Sequence, residues 1–499
     1  MNQYSPERRT AVVLAGTGAH GAYHAGVLRA LQEAGVKVDL VAGHGVGAAS
    51  AAVAAIDGGA RLWDANGLWA QPSVAQLYGY TRLIRRAGWL SLALVVVLFA
   101  PVLVLVGLAL VVYPTAFLLE TVGAEAGTVL MRGFTAWLQS AFSGPNLPTL
   151  IPRIGMIVLA ALVALVAAGA ATARQAKPQV RRVAGAPWWR VVGAPIDAES
   201  ARTAFTATIW GLIRGAAPAG RQPLLEVSRR FTDVLRENLG QPGFREVMMI
   251  TTDLDGRRDL VAALLREPYR GEFMAAQPDR DRRAEVLDLA DSGRDRALDV
   301  MAGALTPPVV CEPHRVTFGA DSYWRGETHR LCDRPGSITR LLEEVAAAGV
   351  TQVIVVAASS ASSGPHRLPA SRLDARFRLG EFVVAAESAA LRDAFEMARL
   401  RFDGVYLIRP AHNPIGPFDV EGTYDQNSDR QQDLAELMAH AYEDAYRQFI
   451  EPVVGASGEQ LAQPRPSVTT GHGPFETLES PGAAAGPPAD WLGDADTMR

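Results

Sequence analysis

Cysteine and lysine are both scarce in this 499-residue chain. The two cysteines, Cys311 and Cys332, are too few for a disulfide framework or for a zinc site built from thiolates. Lysine occurs only at Lys37 and Lys177, so arginine supplies nearly all the positive charge. Lys and Arg total 48 against 52 Asp and Glu, and a net charge of −4 provides no overall field to attract nucleic acid. We therefore expect reduced thiols and no nucleic-acid partner.

Charged residues are also few, at 20%, whereas 49% of the residues are hydrophobic. Ordinary globular chains carry roughly 25% charged residues, so we expect part of the apolar excess to meet lipid or a very large core. The first ten residues, MNQYSPERRT, lack the apolar stretch of a signal peptide. The sequence therefore excludes disorder throughout and predicts a cytoplasmic amino terminus.

Two long uncharged runs lie within residues 81–194, which we predict to be an inserted membrane hairpin. The first run, residues 89–113, begins at Trp89 and ends at Tyr113, and as a helix it would extend about 37 Å, enough to cross a bilayer. The second run is residues 154–173. A pair of buried core helices is the alternative, although such helices are usually shorter and amphipathic.

Basic residues flank this predicted hairpin on its outer sides. Eight of them precede the first run or follow the second: Arg82, Arg85, Arg86, Arg174, Lys177, Arg181, Arg182 and Arg190. Only Arg132 and Arg153 lie between the runs. The positive-inside rule then predicts that residues 114–153 lie outside and that both termini and the soluble domain are cytoplasmic. The expected partners are the bilayer and its lipids, while the sequence identifies no protein partner.

Outside the insertion, strand-like and helix-like segments alternate. Residues 11–15 form an apolar run that leads into a glycine turn and a helical pattern, and residues 39–42 begin the same arrangement again. Further strands are predicted at residues 246–254, 350–359 and 405–408. This alternation predicts an α/β fold with a mostly parallel sheet between helix layers.

The soluble part divides into three regions. Residues 1–80 and 195–359 are predicted to form one core around the insertion, and residues 360–456 a C-terminal α/β extension. Within the extension, Ser428 and Gln431 form a capping-box pattern that predicts the start of an amphipathic helix. Residues 457–499 are rich in Gly, Pro, Ala and Ser without periodicity and are predicted to be a disordered tail.

The first glycine turn, Gly16-Thr17-Gly18-Ala19-His20-Gly21, matches the pattern G-x-G-x-x-G after a strand. Backbone amides in such a turn, together with the start of the following helix, bind an anionic or carbonyl oxygen. Dinucleotide binding is one interpretation, but it requires an acidic residue at the far end of the second strand, whereas Asp39 stands at its beginning. That strand leads instead into a second glycine turn at Gly43, Gly45 and Gly47.

Two glycine turns about 25 residues apart, the second between a strand and a helix, resemble the patatin-like phospholipase family. The resemblance extends to LVAGHGVGAASAAVAAIDGGARLW, ITTDLDGR, ALTPPVV and VIVVAAS, and it covers roughly residues 11–75 and 220–359. It implies a three-layer patatin-like α/β domain, interrupted here by the transmembrane helical hairpin. It also implies a lipid acyl hydrolase that uses no cofactor and binds a substrate oxygen at the first turn.

Members of that family use a serine in G-x-S-x-G and an aspartate in a D-G-G or D-G-A turn. The serine position is Gly45 in this chain, and glycine has no hydroxyl to attack an ester. The aspartate turn is expected near residues 323–327, which would place Arg325 at the aspartate position. His20 stands where the family commonly has arginine. We therefore expect no hydrolysis by a serine–aspartate dyad, with an unrecognised nucleophile or a pure lipid-binding role as the alternatives.

Three histidines, His20, His24 and His44, fall in or beside the two turns. They are open to interpretation as a base or metal site, or as hydrogen-bonded loop histidines. A metal site needs further ligands, and the neighbouring sequence contains no paired carboxylate or second ligand motif. The sequence therefore predicts no metal.

Other side chains are weak alternatives for the missing chemistry. His44, Asp321, Glu327 and Asp253 are candidates for a residual base. Ser50 lies about 7.5 Å along the helix after Gly45, which favours a packing role over that of a nucleophile. The D-G-G tripeptide that begins at Asp57 is too close to that helix to be the aspartate turn of the family, and we interpret it as a plain turn.

Overall fold

The structure is a computed structural model that describes residues 4–56, 59–141, 143, 147–175, 193–217, 220, 222–275, 284–319, 324–360 and 375–455. The predicted tail at residues 457–499 and the candidates Asp57 and Asp321 lie outside the described residues.

The strands of the described residues are β1 Thr10–Gly16, β2 Leu40–Gly45, β3 Glu246–Asp253, β4 Arg258–Leu264, β5 Ala284–Asp288, β6 His314–Thr317, β7 Thr328–Cys332, β8 Gln352–Ala357, β9 Gly404–Ile408, β10 Thr423–Asp425 and β11 Arg430–Gln432. The main sheet has the order β5-β4-β3-β2-β1-β8-β9. Neighbouring strands from β3 through β2, β1 and β8 to β9 are parallel, β4 is antiparallel to β3, and β7 pairs with the end of β3. The predicted α/β fold with a mostly parallel sheet is confirmed.

The helices are α1 His20–Glu33, α2 Val46–Ala54, α3 Ala60–Trp63, α4 Arg82–Thr121, α5 Ala126–Ala141, α6 Leu147–Gln175, α7 Glu199–Ile213, α8 Leu224–Asn238, α9 Tyr269–Ala275, α10 Ala297–Ala304, α11 Ile338–Ala347, α12 Ala375–Arg401 and α13 Leu434–Ala445. A π-helical segment, Tyr446–Gly455, continues α13.

Strand β1 is buried on both faces, which explains its nearly continuous apolar sequence. Val12 and Leu14 contribute to a core that includes α1, α2, α7, α8 and α10. Ala11 and Val13 contribute to a second core that includes residues of α9, α11 and α12. The sheet thus separates two hydrophobic cores, and the helices form a layer on each side of it.

The C-terminal extension completes this core. Strand β9 adds to the sheet beside β8, and α13 packs against α1. A Cβ at Gly26 would lie 2.1 Å from the carbonyl oxygen of Met438, so the two helices approach closely because residue 26 has no side chain. The hydroxyl of Tyr23 donates a hydrogen bond to Asp444 over 3.0 Å. The extension is therefore packed onto the first βα unit.

The capping-box prediction at Ser428 is wrong. Ser428 lies between β10 and β11, and its hydroxyl donates to Asp425 over 2.7 Å. The helix begins at Leu434, where the side chain of Asp433 accepts from the amide of Glu436. Ser428 therefore forms a local hydrogen bond in the turn between β10 and β11 and does not cap the helix.

The insertion leaves and rejoins the core at adjacent points. The amide of Thr81 donates to the carbonyl of Pro195 over 3.0 Å, and the amide of Asp197 donates to the carbonyl of Gly79 over 2.9 Å. Both α5 and α6 pack against α4. Within the described residues, one segment, Leu103–Thr121, is long and apolar enough to cross a membrane, and the apolar segment Arg153–Ala168 is shorter. A hairpin of two membrane spans is therefore not confirmed.

Candidate functional site beneath the two glycine turns

The two glycine turns follow β1 and β2, which are adjacent and parallel. Strands β2 and β3 extend the sheet on one side of β1, whereas β8 and β9 extend it on the other. Ligands of open α/β sheets bind outside the carboxyl ends of the strands where the strand order reverses in this way. The fold therefore places both turns where a ligand site is expected.

Gly45 is the junction between β2 and α2 and has a φ of +58°. An L-residue rarely adopts such a positive φ, so the elbow is strained for any residue other than glycine. A Cβ at this position would lie 2.3 Å from the carbonyl oxygen of Gly16 and 3.1 Å from Oδ2 of Asp333. The space that a side chain of residue 45 would need is therefore taken up by the backbone of the first turn.

Asp333 is the carboxylate next to this elbow. It directly follows β7, which pairs with the end of β3, and its amide donates to the carbonyl of Thr306 over 2.8 Å. Arg325, which the sequence placed at the aspartate position, lies in the turn between β6 and β7.

Five polar side chains converge beneath the two turns, and we call Thr17, His20, His44, Asp333 and Glu387 the elbow cluster. Glu387 comes from α12, so the cluster joins both turns, the segment after β7 and a helix of the C-terminal extension. All five residues are buried, with exposed fractions between 1% and 7%. Burial removes water as a partner, so the contacts within the cluster must satisfy these groups.

The contacts leave several of these groups without a partner. Thr17 Oγ1 lies 2.7 Å from Glu387 Oε1 and 3.1 Å from Asp333 Oδ2, but its single proton serves one carboxylate at a time. His44 Nδ1 lies 3.9 Å from Asp333 Oδ1, and His20 Nδ1 lies 3.7 Å from Glu387 Oε2. Both separations exceed hydrogen-bond length. Among the described atoms, His20 Nδ1, His44 Nδ1 and Asp333 Oδ1 have no hydrogen-bond partner.

Charges across the elbow cluster shift two pKa values. Burial disfavours the charged form of His44, but the nearby Asp333 and Glu387 carboxylates outweigh it and raise the pKa of His44. Burial likewise acts to raise the pKa of Glu387, but His20, His44 and the Thr17 hydroxyl outweigh it, so that this pKa is lowered. The charges of the cluster therefore favour the protonated form of His44 and the ionised form of Glu387.

His24 lies next to the cluster but remains neutral. Burial lowers its pKa to about 3, and the charges of His20 and His44 act in the same direction. Its Nε2 lies 3.1 Å from the carbonyl oxygen of Ala15, so this nitrogen carries the proton and donates. His24 is therefore a hydrogen-bonded core histidine.

The first glycine turn is covered by a C-terminal loop. The amide of Ala19 donates to the carbonyl oxygen of Pro417 over 2.7 Å, and a Cβ at Gly18 would lie 1.9 Å from the same oxygen. Residues 16–21 are all buried. The Pro417 carbonyl thus already accepts the hydrogen bond from the Ala19 amide that an acyl oxygen would need.

With this geometry established, comparison with known proteins identifies the domain. Residues 12–157 match the family model described as patatin-like phospholipase. The chain contains a patatin-like phospholipase domain. A solved structure of VipD from Legionella pneumophila is similar with a TM-score of 0.30 and 12% sequence identity, over 91% of this chain and 68% of that chain. The comparison with curated proteins found no match.

The other predicted candidates that fall within the described residues, Asp253, Glu327 and Ser50, do not belong to the elbow cluster. Asp253 and Glu327 contact the two ring nitrogens of His329, at 2.5 Å from Nδ1 and 3.3 Å from Nε2. Ser50 is fully buried within α2, in keeping with its predicted packing role. Of the weak base candidates in the described residues, only His44 belongs to the elbow cluster.

Two cavities open beside these elements. One of about 200 Å³ is lined by His20, by Ser359 after β8 and by residues of α12 and the loop before Pro417. A larger cavity, of about 500 Å³, lies between α7, α8 and α10 and is lined by Arg202, Trp210 and Leu224 among others. The second is within the usual volume range of small-molecule sites.

Sequence reasoning missed Asp333 and Glu387. Asp333 is followed by Arg, Pro and Gly and therefore lacks the D-G-G signature. Glu387 lies in a helix more than 300 residues from the glycine turns, and nothing in the local sequence distinguishes it from other helical glutamates. The aspartate at the end of β7 was the one available signal, because polar residues that follow sheet strands line ligand sites.

Proposed function

We propose that this protein is a membrane-anchored patatin-like protein that binds lipid acyl esters at the cytoplasmic membrane face without hydrolysing them by a serine–aspartate dyad. The observation that carries the proposal is the elbow. Gly45 provides no nucleophile, and the carbonyl of Gly16 occupies the space of a side chain there. Asp333 Oδ2 would lie 3.1 Å from a Cβ at residue 45, but residue 45 offers it no serine to act on.

Membrane attachment through α4 and α6 is part of this proposal. Apolar side chains of α4 project outward in the structure, with Leu103 68% and Leu110 69% exposed. Exposed apolar patches of this extent mark contact surfaces for lipid or protein. The basic residues on the outer flanks favour a cytoplasmic core, and the paired ends at Thr81 and Pro195 return the chain to the side that it left.

The larger cavity supplies a place for an acyl chain. Glu199 lines this cavity. It lies two residues after Asp197, whose amide donates to the Gly79 carbonyl where the insertion joins the core, so this end of the cavity is close to the proposed membrane surface. Trp210 and Leu224 offer apolar surface, and Arg202 and Arg214 offer positive charge for an ester carbonyl or an anionic headgroup. Such a mixture suits a lipid.

The first glycine turn remains a proposed site for a lipid oxygen, with a condition set by Pro417. An acyl oxygen reaches the Ala19 amide only if it displaces the Pro417 carbonyl. Gly18→Ala would force the same carbonyl away, because the new Cβ would lie 1.9 Å from it. Gly35→Ala is the matched control, since Gly35 has a similar positive φ but open space around it. Lipid occupancy that is equal in both variants would exclude the turn as a binding element.

Covalent labelling tests the absence of a serine mechanism. Full-length protein in detergent is incubated with a fluorophosphonate probe, alongside an active serine hydrolase that verifies the probe. We expect no labelled serine in the wild type or in Gly45→Ser, because the new side chain would clash with the Gly16 carbonyl. A labelled serine in the wild-type domain would contradict the proposal.

Hydrolysis with a different nucleophile is the second candidate, and one observation favours it. Ser359 lines the smaller cavity together with His20, which brings a hydroxyl and a potential base to the same space. Probe labelling that maps to Ser359 and disappears in Ser359→Ala would select this alternative.

Native mass spectrometry tests lipid binding directly. The detergent-purified protein is expected to retain phospholipid, and Ala207→Trp is expected to reduce its occupancy, because Ala207 lines the larger cavity. Ala389→Trp is the control, since Ala389 is an exposed helical alanine of α12 away from that lining. Equal occupancy in the two variants would exclude this cavity as the lipid site.

Cysteine labelling in intact cells tests the topology. Glu125→Cys lies between α4 and α5 and is expected to react with an impermeant maleimide, whereas Gln241→Cys in the core domain is expected to stay unlabelled. The two native cysteines are buried and contribute little background. Labelling of Gln241→Cys from outside would refute the cytoplasmic placement.

A further inference from the structure

The elbow cluster contains metal-ligating atoms that the dyad chemistry does not use. His44, Asp333 and Glu387 each offer one such atom, and these three atoms lie within 4.8 Å of one another. His20 lies beside this group of three, with its Nδ1 3.7 Å from Oε2 of Glu387. All four side chains are at least 92% buried. They are therefore largely shielded from bulk solvent.

Two of the separations match those of ligands around a shared ion. Imidazole nitrogens and carboxylate oxygens bind Zn²⁺ at about 2.0–2.2 Å, which puts two tetrahedral ligands roughly 3.4 Å apart and opposed octahedral ligands roughly 4.2 Å apart. The His20–Glu387 and His44–Asp333 distances of 3.7 and 3.9 Å fall in this interval. They are too long for hydrogen bonds, and the atoms His20 Nδ1, His44 Nδ1 and Asp333 Oδ1 are otherwise unpartnered.

Charge balance points the same way. Two ionised carboxylates buried together repel each other and are costly unless they are neutralised. The Thr17 hydroxyl satisfies one of them at a time. One divalent cation with two carboxylates and two neutral imidazoles gives a site with no net charge.

We propose that the elbow cluster binds one divalent first-row transition-metal ion, with His44, Asp333 and Glu387 as its ligands and the neighbouring His20 as the fourth. Imidazole and carboxylate together suit zinc, manganese or iron, and the absence of a thiolate from this ligand set disfavours softer ions. With His20 as the fourth ligand the site is closed, as structural metal sites are. The ion ties both glycine turns to the segment after β7 and to α12.

The smaller cavity provides an access route. His20 lines it, so an ion that arrives there meets a ligand directly. This inference is independent of lipid binding, because the larger cavity has none of the four ligands in its lining.

Metal analysis of the full-length protein tests the site. Detergent-purified wild type is loaded with Zn²⁺ and desalted, and its metal content is measured by inductively coupled plasma mass spectrometry. About one zinc per chain is expected, the stoichiometry of a structural site. Glu387→Gln and His44→Asn are expected to retain about tenfold less. His329→Asn is the matched control, since His329 is also a buried histidine next to a carboxylate and lies outside the cluster. Zinc content that is equal in all four proteins would overturn the proposal.

A second measurement does not depend on the folding of any variant. Chelator-treated wild type is titrated with Zn²⁺, Mn²⁺ and Co²⁺, and a saturable rise in Tm together with the visible d–d bands of bound Co²⁺ is expected. If none of the three ions raises Tm and Co²⁺ gives no bound spectrum, the proposal is refuted, and the cluster is balanced by protonated histidines instead.

Discussion

The elbow cluster and the β7 group, which consists of His329, Asp253 and the largely exposed Glu327, are built differently. At the β7 group, both ring nitrogens of His329 contact carboxylates, Asp253 at 2.5 Å and Glu327 at 3.3 Å. In the elbow cluster, His44 and His20 stay 3.9 and 3.7 Å from their carboxylates. The same residue types therefore form a closed pair in one region and an open set in the other.

The difference teaches what the elbow cluster lacks. The β7 group satisfies its own polar atoms and links β3 to β7 without help, as a structural pair does. The elbow cluster has unpartnered buried atoms, which cost free energy unless a further species satisfies them. A bound ion would satisfy these atoms, so the two groups are expected to respond differently to substitution and to metal removal.

The largest expected effect comes from exchanging one aspartate in each group. With metal at about 100 times its Kd, Asp333→Asn is expected to lose about 3 kcal/mol of unfolding free energy, the contribution of a ligand at that saturation. After chelation the same variant is expected to be as stable as the wild type or more stable, because it removes a buried charge. Asp253→Asn is expected to cost about 2 kcal/mol in both conditions, since it loses a charged hydrogen bond.

Denaturant unfolding with and without chelator measures this contrast. The control is the wild type under both conditions, which should lose stability on chelation. If Asp333→Asn changes the free energy of unfolding equally with and without chelator, both groups are structural pairs of the same kind.

A smaller effect is expected from filling the elbow. Gly45→Ser should lower the unfolding free energy by about 2 kcal/mol, because the new Cβ meets the Gly16 carbonyl and residue 45 needs a positive φ. Gly35→Ser has a similar φ but open surroundings, and it should lose only about 1 kcal/mol. Thermal unfolding measures both variants. An equal loss of unfolding free energy in the two would show that the first turn moves aside easily and that the elbow has room for a serine.

The smallest effect is a pH dependence at the β7 group. Burial acts to lower the pKa of His329, but Asp253 and Glu327 outweigh it and raise this pKa. A raised folded-state pKa contributes stability that is fully present below the unfolded value of about 6.5 and is lost as the pH rises through the folded value. The stability difference between wild type and His329→Asn should therefore shrink from about pH 5.5 to about pH 8.5. A difference that grows over this range would show that His329 is held in its neutral form.

Local pattern was sufficient for the elements that bear the two turns. The predicted strands at residues 11–15 and 39–42 are confirmed as β1 and β2, and the helical patterns after them are confirmed as α1 and α2. Each of these elements depends on residues within one short window, where apolar runs and glycine turns are informative. The missing hydroxyl at Gly45 was visible for the same reason.

Contacts between residues that are far apart in the sequence could not be predicted from local pattern. The sequence pattern pointed to Arg325 rather than to Asp333, and the pairing of β7 with β3 brings residue 333 to the elbow. The cover of Pro417 over Ala19 joins residues almost 400 positions apart. The sequence offers no marker for either contact.

The sequence by itself determined the alternation of strands and helices, the loss of the serine hydroxyl and the apolar character of the insertion, because each is a property of neighbouring residues. Only the tertiary structure decided which carboxylates face the histidines and that their separation leaves a gap. Those features arise where a turn after β1, the end of β2, the segment after β7 and helix α12 meet. Burial then makes the contacts of these polar groups with one another, and with any species held among them, important for stability.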